Sequence, residues 1–119
     1  MRGPVLVLPY QTQVVNAGSA AVVAWTSATL ELAPSVPTQV RWRYDNLTDS
    51  VVLQDWQTLA TPSAPRGTIT IPASLNAMTR QYRDRQLNQV TFEITTADGV
   101  RQQLAYVELC AVFTGATAP

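Results

Sequence analysis

Apolar and polar residues alternate with period two along most of this chain. In "QVRWRYDNLTDSVVLQDW" (39–56), Val40, Trp42 and Tyr44 alternate with Arg41, Arg43 and Asp45. In a strand, successive side chains point to opposite faces, so this run predicts one apolar face and one charged face. "DNLTDS" predicts a turn, because Asp, Asn and Ser bond readily to nearby backbone. Val51, Leu53 and Asp55 then alternate with Val52, Gln54 and Trp56, a second strand of mixed pattern that closes a hairpin through a loop of about five residues.

The same reasoning covers the rest of the chain. Pro4 and Pro9 bracket Val5, Leu6, Val7 and Leu8, a short strand or extended arm. "QTQVV" (11–15) predicts a strand ended by the turn residues Asn16 to Ser19. Ala20 to Trp25 and "ATLEL" (28–32) predict two more, and the prolines of "APSVP" (33–37) end the pattern. "TPSAPRG" (61–67) predicts a loop. "TITIP" (68–72) predicts a strand with Ile69 and Ile71 on one face. In "ASLNAMTRQYRDRQLN" (73–88), Leu75, Met78 and Tyr82 have helical spacing, which fits a turn or two of helix. Val90, Phe92 and Ile94 open a last hairpin that turns at "ADG" (97–99). Its return strand carries Leu104, Val107 and Leu109, and the change of phase near Ala105 predicts a bulge there. "TGATAP" (114–119) predicts a frayed tail.

About eight short strands with at most one short helix predict a single all-β domain, an antiparallel β-sandwich. The 119 residues suffice for one real core. We divide them into an N-terminal arm and first strands (1–35), a sandwich core (36–113) and a flexible tail (114–119). A tryptophan on a mid-chain strand and a long final hairpin give the sandwich an immunoglobulin-like character, without the cysteine pair of true immunoglobulin domains.

Composition narrows the function classes. Charged residues are only 13% of the chain, about half the usual share, so neutral polar groups must cover the surface. Such a surface is poorly defended against association and points to life in an assembly, with a Thr-rich monomer as the plain alternative. The net charge is zero, which argues against a nucleic-acid binder working through a broad basic face. The longest apolar runs are too short to cross a bilayer, and no convincing leader precedes the first strands. The single cysteine, Cys110, excludes an intrachain disulfide; in "YVELCAV" it reads as a buried structural thiol.

Catalytic chemistry is sparse. The chain has no histidine and no lysine, which removes the commonest general base, the usual zinc ligand and any Schiff-base site. No glycine-rich phosphate cradle is present. Asp45, Asp49 and Asp55 lack the spacing of a calcium loop and read as turn formers and outward charges. Asn46-Leu47-Thr48 is a glycosylation sequon, which matters only in a secretory pathway. We therefore expect no catalytic residue, metal or cofactor. "RQYRDR" (80–85) is the densest charge in the chain: either a contact patch or the solvated face of a short helix. Trp25 and Trp56 read either as core or as anchors in a partner's pocket.

"VRWRYDNLTDSVVLQDWQTL", "TITIPASLNAM" and "NQVTFEITTADG", taken together, resemble small immunoglobulin-like proteins of tailed bacteriophages. The resemblance covers roughly residues 37–112 and rests on a strand pattern with a few fixed residues. It implies a non-enzymatic virion structural protein, made in the host cytoplasm and carried on the capsid surface. There it would decorate or cement the shell by binding the major capsid protein and copies of itself in a large symmetric assembly. A tail or head–tail connector component is the alternative within virions; a carbohydrate- or host-surface-binding module, stacking sugars on Trp25 or Trp56, is the alternative outside them. Candidate contact residues are Val5, Leu6, Val7 and Leu8 of the arm, the outward Arg41 and Arg43, Trp56, and Arg80, Tyr82, Arg83 and Arg85.

Overall fold

The computed structural model describes residues 11–28, 35–78 and 84–111. Among them are seven strands: β1 (Gln11–Asn16), β2 (Ala21–Thr26), β3 (Gln39–Asn46), β4 (Val51–Thr58), β5 (Arg66–Ile71), β6 (Arg85–Thr96) and β7 (Gly99–Cys110). One turn of 3-10 helix, Ala73–Asn76, follows β5. The chain is thus almost wholly β, in two packed sheets. Five strands form one sheet in the order β1-β7-β6-β3-β4, and β2 and β5 form the other. All pairs are antiparallel except β1 with β7.

Period two explains which side is buried. Val40, Trp42 and Tyr44 of β3, Val90, Phe92 and Ile94 of β6, and Ala105, Val107 and Leu109 of β7 turn to the same side and form one core with Ala21, Val23, Trp25, Ile69 and Ile71 of the smaller sheet. Each large side chain so buried contributes about 1.5–3 kcal/mol. β2 thus belongs to this core, and Val15 of β1 packs against it. Trp25 lies directly opposite Gly67 across the β2–β5 pair. A Cβ at residue 67 would stand 2.9 Å from the indole, so only glycine lets the ring lie flat against β5.

One end of this core is polar. Asn46, Asn76, Gln86 and Asn88 are buried around the equally buried Tyr44. The Tyr44 hydroxyl donates to Asn76 Oδ1 (2.5 Å) and accepts from Asn88 Nδ2 (3.1 Å), while Gln86 Nε2 donates to Asn88 Oδ1 (3.0 Å). Asn76 ties this cluster to the β1–β2 turn: its Nδ2 donates to the Ser19 carbonyl at 2.8 Å, and its own carbonyl accepts from Gly18 N at 2.7 Å. Gly18 has φ +83°, where a side chain would be strained. Paired in this way, the buried polar groups avoid the roughly 1–3 kcal/mol that each would cost unpaired.

Several expectations change. The turn of helix expected within 73–88 is the 3-10 turn Ala73–Asn76, but the segment does not stay helix or loop to its end, since β6 already begins at Arg85. The hydrophobic pattern misleads there because it is inverted, with polar Gln86 and Asn88 inward and Leu87 outward. No bulge occurs at Ala105, since β6 and β7 pair without a break from Arg85↔Cys110 to Thr96↔Gly99. Leu104 simply faces outward. The irregularities lie instead between β3 and β4, at Trp42/Tyr44 and Tyr44/Asp45, and they explain the mixed pattern of β4. The loop before β5 ends earlier than expected, since Arg66 and Gly67 are already strand. The β3–β4 turn spans four residues, 47–50, and Ser50 closes it at φ 58°. Cys110 is half-buried rather than buried. The arm (Val5 to Leu8), most of "ATLEL", Arg80, Tyr82, Arg83 and the tail lie outside the described residues.

Burial pushes the Tyr44 hydroxyl up to about 12, against the pull of the Asn88 hydrogen bond. An unfolded tyrosine ionises near 10.0, so the fold favours the protonated form. Its contribution is complete below pH 10 and is lost as pH rises through about 12. We expect urea-unfolding free energies to fall by up to about 2 kcal/mol over that window. Tyr44→Phe, less stable at neutral pH, should lose this part of the slope; an unchanged slope would mean that Tyr44 is not its source.

Candidate functional site

The outward face of the five-stranded sheet collects most of the predicted contact residues that lie within the described part. Arg41 and Arg43 leave β3 on the side opposite Trp42 and Tyr44, and Arg85 leaves β6 opposite Gln86. Residues opposite each other across a strand pair share a face. Glu93, opposite Arg41, therefore also points outward, and its Oε1 accepts from Arg41 Nε at 2.7 Å. The Arg41 guanidinium lies 4.3 Å from the centre of the Trp56 ring on β4. One arginine thus bridges three strands, by an ion pair on one side and a cation–π contact on the other. The Glu93 hydrogen bond holds the guanidinium above its ordinary value, partly offset by desolvation.

The other charges on this face are also paired. Arg43 Nε donates to both carboxylate oxygens of Asp45, at 3.0 and 3.1 Å. Arg85 Nη1 meets Glu108 Oε1 at 3.0 Å, which raises the arginine in the same sense as Arg41. This pair sits eight residues from Glu93 along β6, roughly 26 Å away. Gln89 Nε2 donates to the Tyr106 hydroxyl at 3.2 Å. Between these polar pairs stand apolar side chains. Val14, Val52, Leu87 and Val100 are exposed, and Leu104 and Tyr106 are half-buried. Tyr, Trp and Arg are the residues that protein interfaces favour.

Of the residues that share this face, sequence reasoning named Arg41, Arg43, Trp56 and Arg85 and did not name Val14, Val52, Leu104, Tyr106 and Glu93. A signal for the unnamed ones existed: Val14 and Leu104 are apolar residues in the phase that alternation assigns to solvent. The three aspartates serve local structure. Asp45 pairs with Arg43, the Asp49 carboxylate and amide both bond the Asn46 side chain, and Asp55 Oδ1 accepts from Trp56 N. Among the described residues, no group of three or more His, Cys, Asp or Glu is placed to hold a metal, and no helix is long and apolar enough to cross a membrane. Trp25 is core, with 4% of its surface exposed, and Trp56 has Arg41 over its ring.

No protein-family model matches the sequence, and no curated protein matches it.

Removing the Arg41 guanidinium should uncover the Trp56 ring. In Arg41→Ala we expect stronger acrylamide quenching of the tryptophan emission, abolished by the further change Trp56→Phe, because Trp25 and Trp42 stay enclosed. Quenching equal to that of the parent protein would show that the stacking does not persist in solution.

Proposed function

We propose that this protein is a non-enzymatic structural component of a tailed-phage virion, an immunoglobulin-like sandwich that decorates the capsid and stabilises the shell. The observation that carries the reading is the outward face of the five-stranded sheet. It is net neutral, its arginines are held in place by carboxylates, and the exposed Val14, Val52, Leu87 and Val100 stand between them. A partner that covers this face gains apolar burial without stranding a charge, because each arginine brings its counter-ion with it.

The strand connections support the immunoglobulin-like part. β2 and β5 correspond to strands B and E of one sheet, and β3, β4, β6 and β7 to C, C′, F and G of the other. The buried Trp42 on β3 occupies the strand that carries the core tryptophan in immunoglobulin domains. In place of a B–F disulfide, Val23 and Phe92 are buried in the same core. The role asks for no catalysis: it needs a rigid body and a surface that repeats with the shell. The seat is the major capsid protein, and copies of this chain surround it.

The test is to count copies and then disturb the face. Added to particles stripped of it, the protein should rebind at on the order of hundreds of copies per particle by quantitative mass spectrometry. Trp56→Ala and Val52→Asp should each weaken rebinding about tenfold or more. About six to twelve copies would assign it to the tail or connector instead. Undiminished rebinding of both variants would take this face out of the contact.

A further inference from the structure

A pocket of about 510 Å3 opens where the ends of β2 and β5 meet β7, apart from the outward face of the larger sheet. Its volume is in the range of about 300–1,000 Å3 typical of small-molecule sites. The wall is mainly apolar: Ala24, Ala28 and Pro65, with Trp25 lying against the bare backbone of Gly67. The site is braced from below. Ser27 N donates to the Pro65 carbonyl at 2.8 Å, and the Ser27 hydroxyl bonds the backbone of both Ser35 and Pro65. Gln103 Oε1 accepts from Thr26 N at 3.0 Å, which fixes the side-chain amide and leaves its NH2 as a donor.

The charge at this pocket is one-sided. Arg66 lines the rim, is exposed, and has no carboxylate partner among the described residues. Arg101 precedes Gln103 by two positions on the same face of β7, about 7 Å away along the strand. Both its terminal guanidinium nitrogens are buried and have no hydrogen-bond partner among the described residues. The contrast with the outward face is sharp, since Arg41, Arg43 and Arg85 each have a carboxylate there. A buried guanidinium without a counter-ion is costly, and an anion nearby relieves that cost.

We propose that this pocket binds a small carboxylate with a flat apolar body. The body lies in the apolar hollow beside Trp25 and Gly67. The carboxylate faces Arg66 and the Gln103 amide, in the positive field to which Arg101 adds. The site is independent of the capsid-contact reading, and its test needs no particle.

The test is a titration of the 15N-labelled full chain with phenylacetate and with its uncharged analogue phenylacetamide, followed by nuclear magnetic resonance. Phenylacetate should shift the Trp25 indole N–H and the Gly67 amide saturably, and phenylacetamide should bind about tenfold more weakly. Arg66→Gln, which removes only an exposed and unpaired cation, should erase the difference between the two. Thr68→Leu, which narrows the pocket from its exposed side, should weaken both. The absence of a saturable shift, equal binding of acid and amide, shifts confined to other residues, or binding that neither variant alters would each overturn the proposal.

Discussion

The described fold depends on covering one face of the five-stranded sheet with the two strands β2 and β5. β3, β6 and β7 present nine apolar side chains to the same side. Against them β2 and β5 bring Ala21, Val23, Trp25, Ile69 and Ile71. Two short strands make a narrow lid, and Trp25 widens it by lying across Gly67. Burial of these groups is the main favourable term available to the chain, which has neither a disulfide nor a metal cluster among its described residues to supplement it.

The two ends of the lid are finished differently. At one end the polar cluster around Tyr44 takes over from the apolar core and ties β3, β6, the 3-10 turn and the β1–β2 turn together. Hydrogen bonds are directional, so this end has one arrangement, whereas a purely apolar end could slip. At the other end the interior contains Gln103 and Arg101 and opens into the Trp25 pocket. There the terminal nitrogens of Arg101 have no partner among the described residues. One end therefore acts as a rigid clasp, and the other is where the proposed carboxylate site lies.

Charge follows the same division. On the outward face of the larger sheet each arginine is neutralised where it stands, so the face offers shape and apolar contact rather than attraction. Such pairing at exposed positions adds little stability. Its value is positional: Arg41, held between Glu93 and Trp56, stiffens a surface of three strands. Association through a face of this kind depends on complementary form, which suits a partner that recurs in fixed geometry.

The sequence by itself determined the strands and the faces of β3, β5 and the second half of β6, because there a strict period of two meets a sharp contrast, as in Trp42 and Tyr44 against Arg41 and Arg43. It also placed a turn within "DNLTDS", where the structure turns at 47–50, and another before Gly99, where local backbone chemistry decides. Only the tertiary structure decided the start of β6. Gln86 and Asn88 can face the core because Tyr44 and Asn76 wait there with partners, and no local pattern announces a partner some ten to forty residues away. The same holds for Leu104, an apolar residue on the outer face, and for the irregular pairing of β4. Alternation reports which residues prefer water; it does not report which polar residues will find each other, and that meeting fixed both the clasp and the pocket.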